Sequence, residues 1–331
     1  MPHSNIAIFI PHAGCPNMCS FCNQKSISGA DKQPEFTDVQ KVCEQAIFEV
    51  NDKENTEIAF FGGSFTAIER SYMIGLLEAA QPFIGEGKFR GIRISTRPDC
   101  INEEILALLK SYKVTAIELG VQSMSDEVLY ANDRGHTSED VRKSAKLIHQ
   151  SGIELGLQMM VGLYKSNADL DTFTAMELIK LTPKAVRIYP VAILEGTKLA
   201  ELYRKGEYIP MELETAVRLC ADLLKLFQVA DIDVIRLGLH ASDLVESQLI
   251  GGLYHPAFRE LCEGLLYRDI IAEKINGKSS KFTIEVSSKS VSKAIGQKKS
   301  NIEYFSKQGI NIRIKPSNTL VGYNINVSED V

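Results

Sequence analysis

The chain has 331 residues, of which 44% are hydrophobic and 24% are charged, and its formal net charge is −5. This is the composition of an ordinary globular protein with enough apolar surface for a core. No apolar run reaches the roughly 20 residues that a membrane-spanning helix needs, and the N-terminus lacks the basic region and cleavage site of a signal peptide. We therefore expect a cytoplasmic protein with no membrane partner.

Basic residues are concentrated near the C-terminus. Between Lys278 and Val327 the chain has nine Lys or Arg and two acids, Glu285 and Glu303, so this stretch carries +7 and the remainder −12. A basic module attached to an acidic body favours a nucleic-acid partner. A solvated Lys-rich tail is the alternative interpretation.

Short apolar runs alternate with helical patterns as far as Pro190. The predicted strands are 5–10, 57–61, 91–95, 115–119, 153–160 and 185–189, and helices are predicted at 39–50, 101–109 and 139–149. Repeated strand–helix alternation predicts a parallel sheet whose crossovers all have one hand. Six or more such units indicate an α/β fold with a full or partial (β/α)6 barrel, in which the chemistry lies at the carboxyl ends of the strands.

After Pro190 the pattern changes. Helices are predicted at 197–205, 211–229 and 256–274, with a strand at 231–240 between them. A polar linker at 276–280 is followed by strand 282–286, helices 289–295 and 300–308, and strand 310–314. We therefore expect three regions: a partial barrel at 1–195, a helical extension that completes it at 196–275, and a small α+β module at 281–327.

Three of the seven cysteines lie within eight residues. Cys15, Cys19 and Cys22 have the spacing C-x3-C-x2-C and can bind three irons of a [4Fe–4S] cluster. The fourth iron would then keep an open coordination position, as catalytic metals do. A structural zinc site is the alternative, with its fourth ligand supplied by His12 or by a distant cysteine. The cysteines at 43, 100, 220 and 262 are scattered and indicate core packing.

The cysteine motif, with Phe21 before its last cysteine, resembles that of the radical S-adenosylmethionine superfamily. The resemblance implies that S-adenosylmethionine chelates the open iron and is cleaved by one electron from the cluster. The resulting 5′-deoxyadenosyl radical abstracts hydrogen from a substrate. On this basis Cys15, Cys19 and Cys22 are both metal-binding and catalytic, the cofactors are a [4Fe–4S] cluster and S-adenosylmethionine, and an electron donor such as flavodoxin or ferredoxin is needed.

Later segments resemble one branch of the superfamily, the catalytic subunit of Elongator, and more distantly oxygen-independent coproporphyrinogen oxidase. The segments that carry the resemblance occur in order and are Ile94–Asp99, Glu118–Ser123, Asn132–Thr137, Met160–Leu163, Ile188–Pro190 and His255–Arg259. The match covers roughly residues 5–275.

This resemblance implies a set of residues that bind S-adenosylmethionine. Gly62 and Gly63 follow the second strand and would bind the ammonium group, since glycine lets the backbone approach a ligand. Gln122 and Arg134 would hold the ribose and the carboxylate, and Gln158 would touch the ribose. The complete expected set is Phe9, Phe21, Gly62, Gly63, Ser64, Ser95, Gln122, Arg134 and Gln158.

Two of these positions depart from the family pattern. Ser95 stands where the family usually has Glu, and Phe9 stands where the porphyrin enzyme has a tyrosine. Arg97 follows a strand and could bind a carboxylate or a phosphate bidentately, and this role stays open. Arg134 could instead pair with Asp133 or Glu127 on the surface. Tyr189 is open between core packing and facing a substrate, whereas His136 is expected to be structural.

The order strand–helix–turn–helix–strand in the C-terminal module resembles the KH RNA-binding fold, whose G-x-x-G loop clamps a nucleic-acid backbone. In the corresponding segment, Gly296–Lys299, lysine replaces the second glycine. The expected RNA contacts are Lys293, Gly296, Lys298, Lys299, Arg313 and Lys315. A KH-like fold that only packs on the barrel is the alternative.

Together these features predict an enzyme that modifies a nucleoside in RNA, with transfer RNA as the preferred substrate. The Elongator subunit also carries an acetyltransferase domain, for which the 55 residues after Asn276 leave no room, so acetyl-coenzyme A is not an expected partner. Two alternatives remain: a radical enzyme acting on a small molecule or a protein, and a non-enzymatic iron–sulfur or zinc protein that binds RNA.

Overall fold

A computed structural model describes residues 4–11, 14–15, 18–23, 32–240, 242–275 and 280–330. Its strands are β1 (Ser4–Ile10), β2 (Thr56–Gly62), β3 (Gly91–Thr96), β4 (Val114–Gln122), β5 (Glu154–Val161), β6 (Ala185–Pro190), β7 (Ala192–Leu194), β8 (Asp233–Leu237), β9 (Leu249–Gly252), β10 (Lys281–Ser287), β11 (Asn311–Ser317) and β12 (Ile325–Glu329). Its helices are α1 (Phe36–Glu49), α2 (Arg70–Ala80), α3 (Glu103–Ser111), α4 (Asp126–Ala131), α5 (Ser138–Ser151), α6 (Ala168–Lys180), α7 (Lys198–Arg204), α8 (Leu213–Val229), α9 (Asp243–Gln248), α10 (Phe258–Lys274), α11 (Val291–Ile295) and α12 (Ser300–Ser306).

Seven strands form one parallel sheet in the order β1-β2-β3-β4-β5-β6-β8. The sheet is curled into a half barrel with helices packed against it, which confirms the predicted partial barrel. All six strands predicted before Pro190 are present, and the strand predicted at 231–240 is β8, the last strand of the sheet. The carboxyl ends of all seven strands therefore lie at one rim.

The alternation of side chains along each strand explains why one face of the sheet is buried and the other is open. In β1 the side chains of Ile6, Ile8 and Ile10 are buried against the helices, whereas those of Ala7 and Phe9 face the other side and are exposed. The buried face of the sheet joins a single apolar core that also takes in helices α1 to α3, α5, α6 and α8 and part of α10. Because successive side chains of a strand point to opposite faces, the concave side is left to polar and ligand-facing residues.

Helix boundaries follow capping side chains. The Asn102 side chain accepts a hydrogen bond from the Ile105 N–H, so α3 begins at Glu103 and not at the predicted residue 101. Thr137 and Asp140 form a capping box at the start of α5. Among the described residues, no helix is long and apolar enough to cross a membrane.

The C-terminal module is built on β10, which pairs in parallel with β11 and antiparallel with β12. Parallel neighbours need a crossover connection, and α11 and α12 supply it. The strand–helix–helix–strand order is as predicted, while β12 had no counterpart in the prediction. Apart from Ser280, the predicted linker at 276–280 lies outside the described residues.

Helix α10 belongs to both parts of the molecule. Its residues Cys262 and Leu266 pack in the core of the half barrel, and Tyr267 and Ile271 pack with Phe282 and other side chains in the core of the C-terminal module. The two cores are therefore joined through one continuous helix.

Candidate active site

A cavity of about 620 Å³ lies at the rim of the half barrel, at the carboxyl ends of β2 to β5. Its lining residues are Cys15, Met18, Cys19, Phe21, Cys22, Asn23, Gly62, Gly63, Ser95, Thr96, Arg97, Gly120, Gln122, Arg134, Gln158 and Gly196. Ten of the twelve residues that the sequence assigns to the cluster and its cosubstrate are among them. The motifs are thus brought together from five separate strands and loops.

The other two residues of the predicted set, Ser64 and Phe9, do not line the cavity. Ser64 is buried; its hydroxyl lies 3.1 Å from that of Thr96 and accepts the Arg97 backbone N–H at 3.0 Å. Phe9 is 39% exposed, and its ring centroid lies 6.5 Å from that of Phe61 on the neighbouring strand. Ser64 therefore joins two rim loops, and Phe9 faces the open concave side.

Besides Arg97, whose role the sequence left open, five lining residues outside the prediction complete the wall: Met18, Asn23, Thr96, Gly120 and Gly196. Thr96 and Gly120 lie at the carboxyl ends of β3 and β4, so their position on the strands was a usable signal. Asn23 donates a hydrogen bond to the Glu195 carbonyl at 3.1 Å, which brings the 195–196 loop to the cavity. That contact spans 172 residues of sequence and leaves no local pattern.

The cysteine loop is held by a buried asparagine. The Ser20 hydroxyl donates to the Asn132 side-chain oxygen at 2.7 Å, and the Ser20 N–H donates to the Asn132 carbonyl at 3.1 Å. The Ser20 carbonyl in turn accepts the Leu199 N–H at 2.7 Å. A turn closed by the Cys22 N–H and the Cys19 carbonyl at 3.1 Å sets the spacing of the last two thiols.

Gly62 has a structural reason to be glycine. It has a φ of +115°, and a Cβ atom there would lie 2.7 Å from the Ile10 carbonyl oxygen. The next N–H, that of Gly63, donates to the same carbonyl at 2.9 Å. A side chain at residue 62 would therefore push β2 away from β1 at the cavity wall.

Arg134 links β4 to the cysteine loop. Its Nη1 donates to the Cys19 sulfur at 3.0 Å, and its Nη2 donates to the Gly120 carbonyl. Burial and the neighbouring Cys19 thiol raise the pKa of Cys15, while the positive charges of Arg134 and Arg97 oppose that rise. The two guanidinium groups therefore limit the rise in the pKa of Cys15.

Three buried polar atoms around the cavity have no hydrogen-bond partner within the described part of the chain: Arg97 Nη1, Arg134 Nε and Gln122 Oε1. Arg97 uses its other nitrogens in a bidentate pair with Asp99 at 2.9 and 2.8 Å. Gln122 has a φ of +70°, an uncommon conformation that tends to mark functional sites. Buried polar atoms are normally satisfied, so these donors and this acceptor fit a ligand with a carboxylate and hydroxyl groups.

A buried ionic network lies behind the cavity wall at Gln158. Arg93 lies 2.7 Å from Glu57 and 3.3 Å from Glu118, and Arg187 binds both oxygens of Glu118 at 2.6 and 2.9 Å. Burial opposes ionisation of Glu118, but Arg187 and then Arg93 hold its pKa below the usual value. Since Glu118 also accepts the Gln158 amide at 2.8 Å, the network fixes that side chain in the cavity wall.

The sequence predicts a structural role for His136 and leaves the role of Tyr189 open. Burial, followed by Arg134, lowers the pKa of His136 to about 4, and its Nε2 lies 3.2 Å from the Val121 carbonyl. A neutral, buried imidazole of this kind suits a structural position. Burial raises the pKa of Tyr189, against the effect of Arg187 beside it, so the phenol stays protonated within the concave side.

An iron–sulfur cluster and a structural zinc site need different donor sets. In the described ranges, no three His, Cys, Asp or Glu side chains are arranged around one metal ion. A structural zinc needs four such ligands around a single ion, whereas each thiolate of an iron–sulfur cluster binds a separate iron. All three thiols line the cavity, and His12, the alternative zinc ligand, lies outside the described residues.

Residues 9–176 match the radical SAM superfamily, and residues 183–268 match the radical SAM C-terminal domain. The chain belongs to the radical SAM superfamily. It is therefore a radical SAM enzyme, and its cofactors are a [4Fe–4S] cluster and S-adenosylmethionine.

Relatives within the superfamily point to one branch. The chain is 33% identical over 185 residues to "tRNA uridine(34) acetyltransferase" of Methanocaldococcus infernus, which covers 50% of this chain and 34% of that protein. It is 34% identical over 142 residues to human Elongator complex protein 3, covering 41% of this chain and 25% of that protein. The predicted likeness to Elongator-type radical domains is thus confirmed, and the chain spans a third or less of these relatives' length.

A solved structure shares the fold. The archaeal Elp3 of Methanocaldococcus infernus, with an N-terminal deletion, aligns with a TM-score of 0.62 and 21% identity over 83% of this chain and 64% of that one. This likeness extends past the radical SAM match of residues 9–176 and supports the half-barrel architecture of the radical SAM enzyme.

The predicted RNA contacts lie in different environments. Lys293 Nζ is 2.7 Å from the buried carboxylate of Glu263, in an ion pair that ties α11 to α10. Lys298 and Lys299 are exposed and have φ values of +51° and +64°. Lys299 therefore keeps the backbone conformation that glycine favours, although lysine replaces it. Arg313 and Lys315 are exposed on the edge strand β11.

Proposed function

We propose that this radical SAM enzyme modifies a nucleoside in RNA, with transfer RNA as its substrate. The observation that carries the proposal is the Gly296–Lys299 loop, which presents two exposed lysines. The loop belongs to the C-terminal module, whose core includes residues of α10. Relatives whose names state an action on tRNA uridine 34 support it. Domain limits of 1–195, 196–275 and 281–327 are part of the proposal.

The cofactor site is proposed from the geometry of the cavity. Cys15, Cys19 and Cys22 would hold the cluster, which would supply one electron to S-adenosylmethionine so that a hydrogen atom is abstracted from the substrate. Arg134 would stabilise the Cys19 thiolate through its 3.0 Å hydrogen bond. Phe21 would form an apolar wall.

Binding of S-adenosylmethionine is assigned to the polar part of the lining. The unpaired atoms of Arg97, Gln122 and Arg134 would meet its carboxylate and ribose. Gln158, held by Glu118, would orient the ribose, and Gly62, Gly63 and Ser95 would lie against the remaining ligand atoms. Ser64 would act by supporting the rim loops, and Phe9 by facing the substrate side.

The reaction is tested by anaerobic reconstitution of the full chain with iron, sulfide and dithionite, or with flavodoxin as the electron donor. We expect 5′-deoxyadenosine from S-adenosylmethionine, and a changed nucleoside by mass spectrometry of tRNA from wild-type but not deletion cells. A Cys19→Ala variant should make neither product. Turnover on a purified metabolite that survives nuclease treatment would contradict an RNA substrate, and absence of 5′-deoxyadenosine would contradict the reaction class.

Acetyl transfer is not proposed for this chain, because the two Methanocaldococcus relatives that carry that name are covered for only about a third of their length. The expected lack of acetyl-coenzyme A binding stays a prediction. It can be checked by adding acetyl-coenzyme A to the tRNA reaction and comparing the nucleoside products.

A further inference from the structure

A second cavity, of about 420 Å³, lies between the carboxyl end of β8 and the first turn of α10. Its lining carries five side chains that are or can become cations: Arg236, His240, His255, Arg259 and Lys293. Two carboxylates, Glu260 and Glu263, complete the charged lining. The cavity thus has an excess of groups that donate hydrogen bonds to anions.

Some of these charged groups pair with one another within the cavity lining. Glu263 is bound by Arg259 at 3.0 Å and by Lys293 at 2.7 Å, so one buried carboxylate is shared by two cations. Arg259 Nη1 also donates to the Val234 carbonyl at 2.9 Å. These contacts hold α10, α11 and β8 together around the cavity and leave a net positive charge there.

Arg236 and His255 have hydrogen-bond donors without an acceptor among the described residues of the cavity lining. Within the described residues, the Arg236 guanidinium makes one hydrogen bond, which Nε donates to the Gly238 carbonyl at 3.1 Å. His255 Nδ1 accepts the Ala257 N–H at 3.0 Å, so the proton of a neutral ring is on Nε2. The two terminal nitrogens of Arg236 and the Nε2–H of His255 are therefore available to a ligand in the cavity.

Strand register connects this cavity to the cofactor cavity. Gly120, Gln158, Arg187 and Arg236 are paired in one row across β4, β5, β6 and β8. Neighbouring strands lie about 4.8 Å apart, so Gln158 in the cofactor cavity and Arg236 in the second cavity are separated by roughly 10 Å. Both sites open at the same rim of the sheet, where parallel barrels frequently bind phosphate near their last strands.

We propose that the second cavity binds a phosphate group of the substrate, and so holds the attached nucleoside beside the cofactor cavity. Arg236 would bind the phosphate through its terminal nitrogens, and His255 would donate from Nε2. This proposal rests on the proposed function, because it takes the RNA backbone as the source of the phosphate. A free nucleotide carries the same phosphate group, and the experiment below distinguishes the two sources.

The first arm of the test measures binding of tRNA by fluorescence anisotropy over a salt series, with the full chain. Arg236→Gln removes the bidentate donor, and His255→Asp keeps an acceptor for the Ala257 N–H while adding negative charge. Each should weaken tRNA binding by roughly tenfold, and Arg236→Gln should reduce the salt slope by about one. The matched control is Arg70→Gln, which removes an exposed arginine paired with Glu104 and should change neither quantity.

The second arm titrates inorganic phosphate into the protein while the His255 ring signals are followed by NMR. A saturable response that Arg236→Gln abolishes supports the phosphate site. If wild-type protein gives this response but does not bind tRNA, the RNA substrate is rejected and the phosphate site is kept. A saturable response with unchanged tRNA binding in both variants assigns the site to a free nucleotide. No saturable response together with unchanged tRNA affinity and slope overturns the proposal. Thermal midpoints within a few degrees of wild type establish that the variants are folded, and Arg236→Lys, which keeps the charge, should restore part of the affinity.

Discussion

At the scale of single residues, Arg134 has two tasks that the sequence does not separate. Its guanidinium donates to the Cys19 sulfur and to the Gly120 carbonyl, and its Nε is buried without a partner in the described chain. The same side chain can therefore stabilise a thiolate and bind the cosubstrate. Arg134 occurs in a motif, but only the structure reveals that Cys19 is its neighbour across 115 residues.

Replacing Arg134 with Gln should impair the cofactor site without unfolding the protein. Loss of charge-assisted hydrogen bonds costs about 1.5–3 kcal/mol each, so we expect roughly a tenfold to hundredfold weaker affinity for S-adenosylmethionine. Equilibrium binding and the rate of 5′-deoxyadenosine formation measure the effect, with iron content as a check on cluster loading. Arg142→Gln, which breaks a pair with Glu177, is the matched control; equal affinities in the two variants would contradict the assignment.

Asp171 should make stability depend on pH. It is 2% exposed and accepts hydrogen bonds from the Gly162 N–H and the Ser166 hydroxyl, while burial raises its pKa to about 6. Because this value lies above that of the unfolded chain, the folded state takes up a proton first. The contribution of Asp171 to the free energy of unfolding is therefore largest near pH 4 and falls as pH rises through 6.

Asp171→Asn should remove this dependence. Urea unfolding of both proteins at pH 4.5 and pH 7.5 measures it, and the wild-type minus variant difference should shift by about 2 kcal/mol in favour of wild type at the lower pH. The same difference at both values would show that Asp171 stays ionised when folded.

At the scale of elements, the pattern of side chains predicted most of the sheet. The strands before Pro190 have short apolar runs because one face of the sheet is buried against the helices, and those runs were sufficient to place all of them. The short strands β7, β9 and β12 were missed. β12 has only two apolar residues, Ile325 and Val327, so its alternation is too short to predict a strand. Its pairing with β10 is a tertiary contact.

The candidate site divides in the same way. Residues that occur in local motifs, such as the three cysteines, were predicted to converge, and they line one cavity. The network of Glu57, Arg93, Glu118 and Arg187 was not predicted, because its members come from four strands and each looks like an isolated charge in the sequence. Complementary charges become recognisable only when strand register is known.

Asn301 joins the C-terminal module to α10. It is 2% exposed, and its amide donates to the Gly264 carbonyl at 2.7 Å and to the Ala294 carbonyl at 3.1 Å. Asn301→Ala removes both buried hydrogen bonds and should lower the free energy of unfolding by about 1–3 kcal/mol. Asn326→Ala, at an exposed site with a 3.3 Å contact to Glu285, should cost much less in the same urea titration; equal losses would contradict the role of Asn301.

At the scale of the whole molecule, the acidic body and the basic module have separate tasks in the proposed function. The exposed lysines 298 and 299 should give a general, sequence-independent part of RNA affinity. Lys298→Glu/Lys299→Glu should weaken tRNA binding by at least tenfold and reduce the salt slope by about two.

The matched control for this prediction is Lys143→Glu/Lys146→Glu, which makes the same charge change on the exposed face of α5. Anisotropy titrations of the three proteins at several salt concentrations give both quantities. Wild-type affinity in the Lys298/Lys299 variant would leave the module as a packing element only.

Helix α10 places its first turn at the second cavity and its Gly264 carbonyl against Asn301, next to the lysine loop. Six residues of helix separate Phe258 from Gly264, which is about 9 Å along the axis. The helix is thus a spacer of set length between two proposed contacts to the RNA backbone. In the proposed function, such a spacer would select a nucleoside by its position along the strand. A single-residue insertion within it would turn the loop by about 100° and move the enzyme's choice to a different nucleotide or to none.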